Sequence, residues 1–467
     1  MKQYNQLTQS IVDELKKIVG EKNVFTDPEK MQPYSYDEGV DKAYYHMPDA
    51  VVYAMDTQQV AEILKLANKE LIPVIPRGAG TGLAFGAVAS YGGIVLSTEK
   101  MNKILEFNEE KMYMVVEPGV VTEHIQNVAK EKGLLYAGDP CSGDSCFIGG
   151  NAATNAGGNR AIKYGTTRDQ IYSIEMVTPL GDIVTLGSRL KKVTTGYPLE
   201  KIVIGSEGTL GVITKVTIKL VPLPQHTVNL LAIFPSIDSA MSIVNALPKA
   251  GIQPTCLEFI ENSTIKSIER YLEEKLPNSD VGNYMIIQVD GKNEDDLDDI
   301  SVNVDEVCTK LGAITVLVAD AEKVWKARKN FSEAITTESR ELAMEDLVVP
   351  SDLIPELLKA IEKISADQHI VTRMAAHAGD GNLHLDGLKE DTPDEQWPEK
   401  KLAFENAVYD SVYSLGGRIS GEHGIGIKRK KFMEHYTDPV ELSLMKAVKK
   451  AFDPNLILNP GKIFDVE

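Results

Sequence analysis

The sequence predicts an α+β protein of two or more domains, and three observations carry that expectation. The chain has 467 residues, more than a single hydrophobic core ordinarily supports. Short β-branched strands bounded by Gly or Pro fill its first half, whereas strands alternating with long amphipathic helices fill the second. The texture changes at Val221-Pro222-Leu223-Pro224. Pro continues a strand poorly, so a domain boundary is expected there.

In chain order, residues 1–45 form a helical segment opening with MKQYNQLTQSIVDELKKIVG. This stretch is amphipathic and polar throughout, unlike the apolar core of a secretory signal, so the cytoplasm is the expected location. Residues 46–224 form the next domain. Asp49 to Tyr53 reads as a strand, Gln58 to Glu70 as a helix, and Ile72 to Ile75 as a strand ending in a glycine-rich loop. GGIVLS, MYMVVEP, SIEMVTPLG and GVITKVTIKLV supply further strands. In residues 225–410, NLLAIF, SIDSAMSIVNALPKAG, YMIIQVDG and EDDLDDISVNVDEVCTKLG alternate as strand and helix, which suits a sheet covered by helices on one face. The acidic run Glu294 to Asp299 reads as a solvated helix start. Residues 411–467 end in AFDPNLILNPGKIF, a packed tail with two Asn/Asp-Pro turn signals.

Composition narrows the function. A net charge of −19, from 68 acidic and 49 basic residues, and the lack of a basic run argue against nucleic-acid partners. No apolar run approaches the roughly 18 residues of a membrane span, so a soluble chain without membrane insertion is expected. The four cysteines, Cys141, Cys146, Cys256 and Cys308, have no CxxC spacing, which excludes a cysteine-ligated iron–sulfur relay within the chain. Buried thiols, not a Cys141–Cys146 bridge, suit a reducing compartment.

Three loops are dense in small residues: Pro76-Arg77-Gly78-Ala79-Gly80-Thr81-Gly82, the stretch from Ile148 through Gly149, Gly150, Asn151, Thr154, Asn155 and Gly157 to Gly158, and Gly205-Ser206-Glu207-Gly208-Thr209-Leu210-Gly211. Glycines let backbone amides approach a phosphate without Cβ obstruction. One such loop is as well explained by a plain turn, and the first lacks the Lys-Ser/Thr of a P-loop. Three in one domain imply a long ligand, with Asn151, Thr154 and Asn155 offering side-chain donors and acceptors.

A second constellation lies further on. His377 and His384 bracket a Gly-Asp-Gly turn that would fold two imidazoles together, and Glu422 in GEHG offers an oxygen ligand. Such a set accepts zinc, iron or manganese. The histidine pair alone is better explained as two ordinary side chains beside a turn.

PRGAGTGL, IGGNAATNAGG, Tyr164-Gly165, GSEGTLGVIT, HAGDGNLH, GEHGIG and NPGK, in this order, resemble the FAD-linked oxidases of the vanillyl-alcohol-oxidase superfamily, in the glycolate oxidase and D-lactate dehydrogenase branch. The similarity runs over roughly residues 20 to 465, and in detail the chain looks most like the lactate dehydrogenase subunits of electron-bifurcating complexes with an electron-transfer flavoprotein. The resemblance implies a two-subdomain FAD-binding domain, an α+β substrate domain with an antiparallel sheet over the flavin, and a C-terminal tail returning to it. FAD would be held by Arg77 to Gly82 at its diphosphate, with Pro76, Pro140, Gly149, Gly150, Asn151, Thr154, Asn155, Gly157, Tyr164, Gly165, Glu207 and Gly208 around it. Gly211 and Ile213 would face the adenosine side, and Asn459 and Lys462 the ring. No His or Cys stands in Arg77 to Gly86, so the flavin is expected to be non-covalent.

The resemblance further implies one divalent metal ion on His377, His384 and Glu422, His423 as general base, and Arg328 as the group receiving the carboxylate of a small 2-hydroxy acid. Some relatives that oxidise larger hydroxy diacids have Lys at Met344 and Asn at Asp386, so a monocarboxylate such as D-lactate is expected here. Electrons would leave to an electron-transfer flavoprotein. Glycolate or D-2-hydroxyglutarate oxidation with an iron–sulfur subunit or another acceptor is the alternative. A flavoprotein subunit that relays electrons without catalysis is a reading of another class, and it has no use for His377, His384, Glu422 and His423.

Overall fold

The computed structural model describes residues 4–466. The chain divides into two compact units, one comprising residues up to 157, 165–223 and from 423 on, the other 158–164 and 224–422. The division therefore differs in three places from the sequence expectation. Residues up to 45 belong with the first unit, a short piece around Ala161 joins the second, and the final segment begins at 423 instead of 411.

In the first unit, β1 (Val24–Phe25), β2 (Ala50–Tyr53), β3 (Val74–Arg77) and β4 (Ile94–Ser97) form a sheet of order β1-β2-β4-β3, with β2 and β3 parallel to β4. The helix Gln9–Val19 starts at Thr8, whose hydroxyl accepts from the Ile11 amide, and its buried face of Ile11, Val12, Leu15 and Val19 enters the same core as Leu64, Val74 and Leu96. The N-terminal helix is thus part of this unit's core. Leu458 enters it from the other end of the chain, because the Val74 amide donates to the Ile457 carbonyl and the Asn459 amide to the Val74 carbonyl.

A second sheet, order β5-β6-β10-β8-β9, joins β5 (Ile104–Asn108), β6 (Tyr113–Val116), β8 (Ile171–Val177), β9 (Ile183–Gly187) and β10 (Val212–Lys219), all antiparallel. The strand β7 (Leu134–Leu135) pairs with β11 (Val221–Pro222). The expected strand breaker is therefore itself in a two-residue strand, which Pro tolerates because this ribbon has only edges. No disulfide joins the cysteines, and Cys141 is exposed instead of buried.

The second unit is built on seven antiparallel strands, β12 (His226–Phe234), β13 (Cys256–Ile260), β14 (Asn283–Gly291), β15 (Thr315–Val318), β16 (Leu342–Val348), β17 (Thr372–His377) and β18 (Asn382–Leu388), in the order β15-β12-β14-β13-β17-β18-β16. Helices cover both faces, not one. Ile265, Ile268, Val324, Ala327 and Ala334, from the helices Asn262–Leu272, Ala321–Lys329 and Phe331–Glu338, pack with Leu231, Ile260 and Ile286 on one side. On the other side a Cβ at Gly387 would meet Phe404 of the helix Trp397–Ser414, and one at Gly291 would meet Leu297 of the helix Glu294–Lys310. Alternate residues of a strand face opposite sides, and in β13 and β18 every residue is buried, so both faces of these strands are covered. Among the described residues no helix is long and apolar enough to cross a membrane.

Leu458 is fully buried where the tail closes the first unit's core. Leu458→Ala is expected to destabilise that unit by about 2–5 kcal/mol, read as a lower urea midpoint; a loss below about 1 kcal/mol would show that the tail is not part of the core.

Candidate active site

The three glycine-rich loops converge within the first unit. A Cβ on Gly78 would sit 3.7 Å from Gly150, the Glu207 amide donates to the Ala153 carbonyl at 2.7 Å, and a Cβ on Gly208 would lie 3.3 Å from Pro76. The tail joins them, with Asn459 Nδ2 donating to the Gly86 carbonyl at 3.0 Å and the Glu207 carbonyl at 2.7 Å. Pro140 closes a separate turn, its carbonyl accepting from the Gly143 amide.

The polar groups at this convergence fit FAD. Among the described residues, the amides of Gly78, Ala79, Gly80, Thr81 and Gly82 donate to no group of the chain, a run of donors suited to a diphosphate. A Cβ on Gly150 would meet nothing within 4 Å. Asn459, 2% exposed, has an Oδ1 without a hydrogen-bond partner, an acceptor that a ligand N–H or O–H would satisfy.

Several of the expected ligand-facing side chains instead brace the loops. The guanidinium of Arg77 donates to the carbonyls of Tyr36 and Pro33 and lies over the Tyr34 ring, supporting the glycine loop from within. Asn151 Nδ2 donates to Thr122 Oγ1, Thr154 Oγ1 to the Gly150 carbonyl, and Asn155 Oδ1 accepts from Thr166 Oγ1 and the Arg168 amide. Gly211 packs under Met176, and Ile213 pairs with the same residue in β8. A Cβ on Gly165 would strike Asp169. Tyr164 belongs to the second unit, where its hydroxyl donates to Asp290. Burial pushes the Lys462 ammonium down to about 7, against the opposing charges of Glu207 and Asp37, and it donates to the Val88 carbonyl at 2.7 Å.

In the second unit the strand register assembles the histidines. β17 and β18 are joined by the turn Ala378 to Gly381, which places His377 opposite Asn382 and His384 opposite Ala375, two residues from His377 on the same face. Gly381 has φ +87, and a Cβ there would lie 2.0 Å from the Val349 carbonyl oxygen, so only glycine closes this turn. The imidazoles meet edge to face at 5.1 Å, and both Nε2 atoms lie 3.4 Å from Glu422 Oε1. The three donor atoms fall within 4.8 Å of one another, so this donor set fits one divalent cation.

The same register brings two carboxylates that sequence reasoning missed. Glu258 on β13 lies opposite His377, and its Oε1 is 2.8 Å from His377 Nδ1 while its Oε2 accepts from Arg328 Nε at 2.9 Å. Asp346 on β16 lies opposite His384. It accepts from Asn382 Nδ2, Ser420 Oγ and the amides of Gly421 and Glu422 at 2.6–3.0 Å. A Cβ at Gly421 would lie 2.3 Å from Asn382 Nδ2, so glycine lets the peptide carrying Glu422 come this close. Their one sequence signal is an acid inside a mostly apolar strand, single in CLEFI and one of an adjacent pair in LAMEDLV, a residue type rarely buried without a partner. Burial alone would lower the His377 pKa, but the charges of Glu258 and Glu422 raise it well above the ordinary imidazole value.

Arg328 is 4% exposed and held in this network, its terminal nitrogen 3.4 Å from His377 Nε2, not on a free helix surface. Met344 and Asp386 face each other across β16 and β18, on the face that carries the histidines. The chain passes from the second unit to the first between Glu422 and His423. Just beyond His423, the buried Glu207 carboxylate accepts from the Ile425 and Gly426 amides at 2.7 Å each.

Comparison with known proteins accords with this organisation. Residues 48–187 match an FAD binding domain, and residues 223–463 match the C-terminal domain of FAD linked oxidases. The chain is 37% identical to D-lactate dehydrogenase of Anaerostipes hadrus, covering 99% of this chain and 98% of that one. It is 36% identical to glycolate oxidase subunit GlcD of Bacillus subtilis (98% and 97% covered) and 34% identical to D-2-hydroxyglutarate dehydrogenase of Stutzerimonas stutzeri (97% and 99%). Among solved structures, p-cresol methylhydroxylase with substrate bound superposes with a TM-score of 0.80 over 99% of this chain and 98% of that one, at 20% identity.

Asp346→Ala leaves the Gly421 and Glu422 amides without their acceptor, at a cost of about 1–3 kcal/mol per buried group left unsatisfied. The thermal midpoint is expected to fall by several degrees; an unchanged midpoint would show that Asp346 does not hold this segment.

Proposed function

The chain belongs to the FAD-linked oxidases, with the vanillyl-alcohol-oxidase fold, and is an FAD-using oxidoreductase; from that premise we propose that it oxidises a small D-2-hydroxy acid, D-lactate first, to the 2-oxo acid. The observation that carries the reading is the cluster of buried His377 and His384 with the half-buried Glu422, and Arg328 beside it, groups whose chemistry suits a cation and an anion in one unit. A pure electron relay needs neither.

When bound, FAD would supply a hydride acceptor for the substrate's α-hydrogen, and a divalent ion, which His377, His384 and Glu422 would hold, would lower the pKa of the substrate hydroxyl. Arg328, held at Nε by Glu258, is the cation that receives the substrate carboxylate. His423 accepts the hydroxyl proton, a role that suits an imidazole at neutral pH. The amides of Gly78 to Gly82 would hold the FAD without a covalent bond, and Asn459 and Lys462 would face its ring. Met344 and Asp386 add no cation to the histidine face, and the Asp386 carboxylate opposes a second carboxylate on the substrate, which favours lactate over a hydroxy diacid. Pyruvate is the product, and the electrons leave to an external protein, an electron-transfer flavoprotein in our reading, since the four cysteines offer no iron–sulfur ligand set.

Anaerobic mixing of the FAD-loaded protein with D-lactate is expected to bleach the flavin absorbance, with L-lactate and D-2-hydroxyglutarate much slower. His423→Ala is expected to slow this reduction by about 10²–10⁴-fold while leaving FAD bound. Bleaching by none of these acids would refute the dehydrogenase reading, and a near wild-type rate in His423→Ala would refute the base.

A further inference from the structure

Glu258 stands at the centre of the second unit's sheet, fully buried, with each of its two carboxylate oxygens on a different functional group. One oxygen meets His377 Nδ1 at 2.8 Å and the other accepts from Arg328 Nε at 2.9 Å. An imidazole binds a cation only through the nitrogen that lacks a proton, and a carboxylate on Nδ1 keeps the proton there. The nitrogen left for a ligand bond is Nε2, the atom 3.4 Å from Glu422 Oε1. Glu258 also sets a negative charge against Arg328, whose terminal nitrogen lies 3.4 Å from Nε2 of the same imidazole. With Glu258 and Glu422 both ionised, a divalent cation and Arg328 leave one net positive charge, which a monocarboxylate substrate cancels; without Glu258 they leave two.

We infer that Glu258 is a positioning residue that presents His377 Nε2 to the cation and holds Arg328 beside it, coupling the cation-binding group to the substrate-binding group through one buried carboxylate. The inference rests on the reading of His377, His384 and Glu422 as a cation site. It separates two roles that a structural ion pair would merge, because breaking the pair from the arginine side leaves the carboxylate on the imidazole.

The test is Zn²⁺ affinity of the full-length, FAD-loaded protein after chelator stripping, measured by competition with a chromophoric chelator. Glu258→Gln is expected to weaken Zn²⁺ binding by about 10–100-fold, Glu258→Asp to recover most of that loss, and Arg328→Met to stay within a few-fold of the unaltered protein. Glu258→Gln takes a buried counter-charge from Arg328, which can prevent folding. The double variant Glu258→Gln/Arg328→Met removes both charges, and it is expected to bind Zn²⁺ about 10–100-fold more weakly than Arg328→Met alone. Equal affinity of the double variant and Arg328→Met, or a loss in Arg328→Met as large as in Glu258→Gln, would overturn the inference while leaving the cation site standing. Failure of the unaltered protein to take up Zn²⁺, Fe²⁺ or Mn²⁺ would overturn the cation site and the inference with it.

Discussion

The second unit's chemistry depends on strand register. Four adjacent strands, β13, β17, β18 and β16, place Glu258, His377, His384 and Asp346 on one face, each carboxylate directly opposite a histidine. A slip of one residue in any pairing would turn that strand's side chains to the opposite face. The register of β17 on β18 is fixed by the turn at Gly381, whose backbone conformation and closeness to Val349 no other residue can share. A short glycine turn and a set of ladder hydrogen bonds thereby fix imidazole positions that side-chain packing alone would leave loose.

Buried carboxylates serve as anchors in both units. Asp346 gathers the amides leading to Glu422, and Glu207 gathers the amides that follow His423. Each carboxylate is stabilised in turn by the hydrogen bonds it accepts, which offset the cost of desolvating its charge. The first unit is organised differently: Arg77 and Asn151 are engaged by other groups of the chain, and the backbone of Gly78 to Gly82 is left with donors to offer. Amides held by a rigid strand end bind phosphate without the entropy loss of ordering long side chains.

Much of this was legible in the sequence because it rests on local signals. The glycine loops, the histidines around Gly-Asp-Gly and the change of texture near Pro224 are all written in a few consecutive residues. The rest depends on long-range pairing. Apolar runs such as YMIIQV carry the mark of a strand buried on both sides, yet the reading gave the sheet only one helical layer. Arg77, Asn151 and Asn155 have the right chemistry for a ligand, but partners distant in sequence engage them first. Glu258 and Asp346 were overlooked because nothing in CLEFI or LAMEDLV tells which histidine lies across the ladder. The piece at 158–164 crosses to the second unit for a similar reason, since Lys163 finds its partner in Asp290.

We propose that this face holds a divalent ion. Metal analysis of the purified, FAD-loaded protein by inductively coupled plasma mass spectrometry is expected to find about one equivalent of zinc, iron or manganese per chain, falling to trace levels in His384→Ala without loss of FAD. Trace metal in the unaltered protein, with catalysis of D-lactate oxidation intact, would contradict it.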